Sequence, residues 1–383
     1  MSELTITWQD PDTARPAHDV LVRLVALTDR AYEAGDISAY LMEPRQDRTW
    51  AWTADLPSDL RTSYQLCPVR GLPLRGQPID AHRWAEVIAA GQPDPSCPDS
   101  LPPGCSYGNP DAPASVLSMP GALPQPWVAR RPSVPRGSLV RTPLKGGSLV
   151  HVYRSPGASG GPAPLLVIFD GHRLLCTDVT ATFDNLAADG VLGPLTAVVV
   201  ESIRGSAARG PSRINSLTVA AELESFVFGD LLPVVEARYP VTGDPARRVL
   251  AGHSLGAVAA LHLASLRPDL FGSVVAGSAA LWWPGENGQI AGADVAAAYA
   301  SSTRTVRLFF DAGTEEGDLR RRSRGFHDTL VKAGHDVTYR EFRGGHDHAC
   351  WRGSLADGIL NVLGKTGNVP AALDGVPAGR RHE

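Results

Sequence analysis

The residues Gly252-His253-Ser254-Leu255-Gly256 fit the pattern G-x-S-x-G. That pattern makes a serine a nucleophile when a strand ends just before it and a helix begins just after it. Residues 248–251 read as such a strand, and the alanine-rich Leu255–Leu266 as such a helix. A sharp turn between them would lift the Ser254 hydroxyl above a sheet, with Gly252 and Gly256 leaving room for the crowded backbone. The Leu255 amide, at the head of the helix, is then a donor for a developing oxyanion. A nucleophilic serine needs a base, and the base needs an orienting acid. In the chain order serine, acid, histidine, the base is His346, in Gly344-Gly345-His346-Asp347-His348 after a strand at 337–342. It would take the Ser254 proton and return it to a leaving alcohol. The acid is expected after a strand at 306–310, where Asp311, Glu315, Glu316 and Asp318 are all candidates. Spacing does not choose among these four, and those not used are expected to be solvated loop acids. A second oxyanion donor is expected from the backbone of Gly171 or His172, which follow an apolar strand at 165–169. His346 and His348, two apart, would also suit a chelating pair, but no third ligand with metal-site spacing accompanies them.

The elements that must position these groups divide the chain in two. Short runs at 4–8, 20–26, 49–54 and 63–69, rich in Val, Thr, Tyr and Trp, read as strands separated by Pro, Asp and Gly. They predict a small β-sandwich of the immunoglobulin type without helices between its strands, with one helix at 80–90. Trp50 and Trp52 fall on one face of a period-2 strand. From 91 to 135 ten prolines between Pro93 and Pro126 break any regular element and predict an extended connector. Beyond Arg136, strands at 165–169, 197–201, 248–251, 273–276, 306–310 and 337–342 alternate with helices at 223–239, 255–266 and 319–333. Several of these strands are wholly apolar, as when helices cover both faces of a parallel sheet. The fold class is therefore α/β, a C-terminal doubly wound α/β-hydrolase domain at 136–365 after an N-terminal sandwich with its connector at 1–125. The tail at 366–383 reads as disordered. Every catalytic candidate lies beyond Arg136, so the C-terminal part alone is expected to hydrolyse a small activated ester.

Composition excludes several functions. The 383 residues carry 36 Lys and Arg against 40 Asp and Glu, a formal charge of −4. That balance argues against nucleic acid and supplies no polybasic membrane patch. No apolar run approaches the ~18 residues of a spanning helix. Five cysteines, an odd number without CxxC spacing, read as reduced thiols. The first ten residues show no basic start and no apolar stretch, and the protein is expected in the cytoplasm.

Over most of its length the sequence resembles the enterochelin (enterobactin) esterases. Trp8-Gln9-Asp10-Pro11, Trp50-Ala51-Trp52 and Ser63-Tyr64 resemble that family's N-terminal sandwich, and Asp94-Pro95, Asn109-Pro110 and residues 115–120 its connector. The catalytic half resembles it at Asp170-Gly171, Asp230-Leu231-Leu232-Pro233, the serine motif, Ser278 with Trp282-Trp283, and Gly313 with Glu316. Gly344-Gly345-His346-Asp347 followed by Cys350-Trp351-Arg352 is the most specific of these matches. The resemblance implies a cytoplasmic serine esterase that opens ester or lactone bonds of a catecholate siderophore, a trilactone or its linear forms. It implies Glu316 as the triad acid, no cofactor and no catalytic metal; iron would arrive with the substrate as a ferric complex. Ahead of the Leu-Leu-Pro helix the family pattern resembles R-x-x-E-L followed by Asn. Here Arg213 and Leu217 stand, while Ser216 and Ala220 replace the Glu and the Asn. Arg213 is expected to pair with a catecholate, and Trp282, Trp283 and Trp351 to stack on catechol rings. Arg320, Arg321, Arg322 and Arg324 would form a basic rim that steers an anionic ligand, or a solvated helix face. The same machinery would also serve a carbohydrate or feruloyl esterase, an acyltransferase or a thioesterase-like hydrolase. A siderophore- or glycan-binding protein without activity is the rival from another class, and the intact Ser254, Glu316 and His346 speak against it.

Overall fold

Alternating tryptophans build the first sheet. In the computed structural model, which describes residues 1–158, 161–203 and 213–364, β1 (Ser2–Gln9) pairs antiparallel with a later strand that sets Trp8 opposite Trp50 and Ile6 opposite Trp52. The predicted tail at 366–383 lies outside the described residues. The chain divides into two compact units. One joins Met1–Pro124 with two short segments, Gly313–Glu316 and Phe342–Cys350; the other takes the rest from Gln125 on.

In the first unit β1 is followed by β2 (Asp19–Leu24), α1 (Thr28–Glu33), β3 (Glu43–Pro44), β4 (Thr49–Leu56), β5 (Arg61–Val69), α2 (Ala81–Ala89), β6 (Ser100–Leu101) and β7 (Ala114–Ser118). Two antiparallel sheets, β1-β4-β3 and β2-β5-β7-β6, result. Ile6, Trp8, Trp50 and Trp52 of the first share a core with Val20, Val22, Leu24, Tyr64 and Leu66 of the second. The opposite faces of β2 and β5, with Leu21, Cys67 and Val69, pack on Trp84 and Val87 of α2. Strand β2 is therefore buried on both sides, and its two charged residues are partnered: Arg23 by Asp29 and Asp19 by the Leu74 amide. Two expectations fail here. A helix, α1, interrupts the strands: β2 stops at Leu24 because the Thr28 hydroxyl accepts the Leu24 amide (3.0 Å) and donates to the Val22 carbonyl (3.1 Å). The proline-rich stretch is not wholly irregular either, since Ala114–Ser118 lacks proline and pairs with β5.

The second unit contains β8 (Ser138–Pro143), β9 (Leu149–Arg154), β10 (Leu165–Ile168), α3 (Gly171–Cys176), α4 (Val179–Ala188), β11 (Thr196–Ser202), α5 (Arg213–Thr218), α6 (Ala220–Glu224), α7 (Leu232–Arg238), β12 (Arg248–His253), α8 (Leu255–Leu266), β13 (Ser273–Gly277), α9 (Gly292–Ser301), β14 (Arg307–Gly313), α10 (Asp318–Lys332), β15 (Asp336–Phe342) and α11 (His348–Leu363). The ends of β14 and β15, and the start of α11, run into the two short segments of the first unit. The sheet order is β15-β14-β13-β12-β10-β11-β9-β8, with β11, β10, β12, β13 and β14 parallel and β8 and β9 antiparallel at one edge. This is an α/β-hydrolase-like sheet. Within β10, Leu165 and Val167 face a core shared with α5 to α10, while Leu166 and Ile168 face one shared with α3, α4 and α11. Helices on both faces account for the all-apolar strands. The single helix expected at 223–239 is instead α6, a π-helical segment Ser225–Leu231 and α7. Pro233 lacks an amide hydrogen, so the regular ladder into α7 is lost and a wider turn takes its place.

Candidate active site

The turn from β12 to α8 is as tight as the glycine spacing requires. Ser254 sits between them at φ 57°, ψ −121°, a strained backbone for a residue with a side chain. A Cβ on Gly252 would lie 2.4 Å from the Gly256 carbonyl, so the two glycines are in direct backbone contact. The Ser254 amide donates to the Gly277 carbonyl at 3.0 Å, which ties the turn to β13. Ser254 is half-buried between a buried His253 and a buried Leu255. The Leu255 amide belongs to the first turn of α8, where amides have no partner within the helix. Beneath the turn His253 stacks on Trp351, with ring centroids 5.0 Å apart, and the Trp351 indole donates to the Ser278 hydroxyl at 2.9 Å. Trp351 is only 1% exposed. Its expected role as a stacking surface for ligand is therefore corrected: it packs under the serine turn.

The four acids separate by environment. Strand β14 runs on to Gly313 and takes Asp311 into the sheet, where it is fully buried, accepts from the Ser354 hydroxyl and pairs with Arg340 at 3.3 Å. Glu315 accepts from Arg30 at 2.6 Å and from Arg343 at 3.4 Å. Neither is the solvated loop acid expected. Asp318 opens α10 and pairs with Arg321 and Arg322 on the surface. Glu316 has a buried side chain; one oxygen accepts the Gly313 amide at 2.5 Å, and the other lies 2.6 Å from His346 Nδ1. A carboxylate on Nδ1 fixes the tautomer that protonates this nitrogen and leaves Nε2 as the acceptor for a proton. Ser254, Glu316 and His346 each follow the carboxyl end of a strand of the same sheet, β12, β14 and β15 respectively.

The loop after β10 is equally constrained. Asp170 adopts φ 62°, ψ 37°, and α3 begins at Gly171, where a Cβ would lie 2.6 Å from Val199 and 2.7 Å from the Val200 carbonyl. The Asp170 carboxylate lies against the first turn of α8, 3.0 Å from where a Cβ on Gly256 would stand. Arg213 grips it with two bonds of 2.6 and 2.5 Å. The expectation that Arg213 meets a catecholate is corrected to this extent: its guanidinium is committed to Asp170 and braces the loop carrying Gly171 and His172. Trp282 is half exposed and meets Trp283 edge-on at 5.9 Å, while Trp283 packs on the core. The arginines of α10 do not form a free basic rim, because Arg320 and Arg324 pair with Glu341, and Arg321 and Arg322 with Asp318.

Three residues near these loops escaped sequence reasoning. Tyr107 stacks on His348 with centroids 5.8 Å apart and lies at the same distance from the His346 ring; nothing in its local sequence marks it. Asp347 and Ser63 fall in motifs that the resemblance highlights, but their pairing across 284 residues is not readable from either motif. Among the described residues no group of three or more His, Cys, Asp and Glu is placed to hold a metal, and no helix is long and apolar enough to cross a membrane.

Comparison with known proteins adds a consistent picture. Residues 147–362 match the family described as a putative esterase, and residues 3–128 match the enterochelin esterase N-terminal family. The chain is 26% identical over 377 residues to the iron(III) enterobactin esterase of Escherichia coli (strain K12), covering 94% of this chain and 91% of that one. It is 28% identical over 404 residues to the iron(III) enterobactin esterase of Dickeya dadantii (strain 3937), covering 96% and 89%. The crystal structure of the Shigella flexneri enterobactin esterase in the presence of enterobactin superposes with a TM-score of 0.80 at 24% identity, over 94% of this chain and 92% of that one.

Proposed function

This chain belongs to the esterase family, in the branch with an enterochelin esterase N-terminal domain, and on that premise we propose that it hydrolyses the ester bonds of a catecholate siderophore. The substrate is an enterobactin-like trilactone or one of its linear forms, as its ferric complex or free, and iron is cargo. Supporting this are the relatives named iron(III) enterobactin esterase, aligned over more than nine-tenths of the chain.

The single observation that carries the chemistry is the Glu316–His346 bond, which gives a histidine the tautomer a serine esterase needs. In the mechanism we infer, Ser254 Oγ attacks the ester carbonyl as His346 Nε2 takes its proton. Glu316 stabilises the imidazolium through Nδ1–H. The Leu255 amide and that of Gly171 or His172 stabilise the oxyanion. The imidazolium then protonates the leaving alcohol, and an acyl-serine ester remains. A water, deprotonated by His346, attacks that ester; collapse of the second tetrahedral intermediate returns the proton to Ser254 and releases the carboxylate. Opening a trilactone untethers the catecholate arms and weakens the hold on iron. Trp282, half exposed, is the aromatic face offered to a catechol ring, with Trp283 behind it.

The reading takes 1–125 as an N-terminal domain, with its two antiparallel sheets forming an immunoglobulin-like sandwich, and 136–365 as the esterase domain. The shared core of Ile6, Trp8, Trp52, Val22 and Tyr64 supports the sandwich. It places the reaction in the cytoplasm, in keeping with five cysteines none of which is paired in a disulfide among the described residues. The test is kcat/KM for the full chain across catecholate trilactones, their linear forms, feruloyl esters and acyl sugars. The reading predicts preference for the catecholates; a feruloyl or sugar ester turned over faster overturns it.

A further inference from the structure

The histidine loop is bolted to strand β5 by a carboxylate that the chemistry above does not use. Asp347, next to His346, is fully buried. Its oxygens accept the Ser63 amide at 2.5 Å, the Ser63 hydroxyl at 3.0 Å, the Thr62 hydroxyl at 3.2 Å and the Ala349 amide at 2.9 Å. A carboxylate is acceptor-only: the Ser63 amide, the Ser63 hydroxyl and the Ala349 amide all donate to it, while the single Thr62 hydroxyl hydrogen is shared with the Ser63 carbonyl at 3.1 Å, a donor set that suits Asp and not Asn. The Ala349 bond is what a helix cap at the start of α11 would make. The three bonds to Thr62 and Ser63 are not needed for capping, and they reach a strand nearly 300 residues earlier in the chain.

Neighbouring contacts point the same way. The Arg61 amide donates to the Arg343 carbonyl at 3.0 Å, and the Cys350 thiol donates to the Arg61 carbonyl at 3.3 Å, so β5 holds the loop on both sides of His346. A Cβ on Gly344 would lie 2.7 Å from that same Arg61 carbonyl, which explains a glycine at this point. The acid loop is held to the base loop, because the Thr314 amide donates to the Phe342 carbonyl at 2.8 Å and the Glu315 amide to the Gly344 carbonyl at 2.9 Å. Arg30 of α1 reaches Glu315, one residue before the acid.

We propose that Asp347, through Ser63 and Thr62, is a positioning residue that fixes the height and direction of the His346 ring, so that the N-terminal strand β5 is part of the catalytic apparatus. The proposal rests on His346 being the base. A displacement of ~1 Å in a catalytic group costs roughly 10²-fold in rate, so a lock of this kind has a kinetic signature separate from stability.

The test uses the full chain and five proteins: wild type, His346→Ala, Asp347→Asn, Ser63→Ala and Ser63→Thr. Each is assayed for kcat and KM on p-nitrophenyl acetate and for the rate of Ser254 labelling by a fluorophosphonate, both expressed per folded molecule from near-UV circular dichroism. With the lock broken, kcat and labelling fall together at unchanged KM, by about 100-fold for Asp347→Asn and about 10-fold for Ser63→Ala, and Ser63→Thr recovers to within about 3-fold. If Asp347→Asn does not fold, the Ser63 pair decides alone. Full kcat per folded molecule in Ser63→Ala, with only the melting temperature lowered, overturns the positioning role while a dead His346→Ala keeps the base. An active His346→Ala overturns the base reading and the proposal with it.

Discussion

At the scale of single residues, the account assigns one nucleophile and one acid. Ser254→Ala is expected to lose fluorophosphonate labelling and at least ~10³-fold in kcat on any ester. Glu316→Gln is expected to lose ~10³-fold or more, because an amide no longer stabilises the imidazolium, whereas Asp318→Asn stays within about twofold. Steady-state rates on one small ester decide both, and an Asp318→Asn as crippled as Glu316→Gln would overturn the choice of acid. The motifs that nominate Ser254 and His346 are local and so can be read in the sequence. The acid was not legible from spacing. What separates Asp311 from Glu316 is that β14 runs three residues past Phe310, burying Asp311 against Ser354 and Arg340 while Glu316 remains on the turn beside His346. Only the family resemblance singled Glu316 out in advance. Arg213 shows the opposite case: its motif was visible and the family resemblance suggested a ligand, but its partner Asp170 lies 43 residues away.

At the scale of elements, the serine turn depends on backbone contact between two glycines. Gly252→Ala would thrust a methyl to 2.4 Å from the Gly256 carbonyl, so that variant is expected to lose activity and roughly 1–3 kcal/mol of stability, read by denaturant unfolding. A second prediction concerns the arginines of α10. Burial alone would raise the Glu341 carboxyl, but bonds from Arg324, Arg320 and the Tyr339 hydroxyl bring it down to about 2 from its ordinary 4.5. A carboxyl depressed by folding stabilises the protein above its unfolded value, and that stability is lost as pH falls through the folded value. Glu341→Gln is therefore expected to lower Tm near pH 7, with the gap closing between about pH 4.5 and 2. A gap unchanged across that range would contradict it. Element boundaries were legible where period and punctuation agree, as in α8, whose end at Arg267-Pro268 follows from proline sterics. They were not where a side chain intervenes: Thr28 ends β2, and Pro233 forces a π segment into what reads as one helix.

At the scale of the whole molecule, sequence order and the compact units divide the chain differently. Every catalytic candidate lies beyond Arg136, which suggested that this part would hydrolyse small esters alone. In the structure, Gly313–Glu316 and Phe342–Cys350, which carry Glu316 and His346, belong to the compact unit of Met1–Pro124. A fragment of residues 136–365 lacks Arg30, Arg61, Thr62 and Ser63. It is expected to lose about 100-fold or more in kcat on p-nitrophenyl acetate, as well as on a catecholate, in side-by-side assays with the full chain. No sequence pattern shows this, because the bonds from Asp347 to Thr62 and Ser63 are long-range and each partner is an ordinary polar residue in its own segment. The central claim, a serine esterase acting on a catecholate siderophore, is tested most directly by mass spectrometry of a catecholate trilactone over time with wild type and Ser254→Ala. The account predicts stepwise addition of one water per ester with wild type, trilactone to linear forms to monomers, and intact trilactone with Ser254→Ala. Intact trilactone with wild type, or the same products from Ser254→Ala, would contradict it.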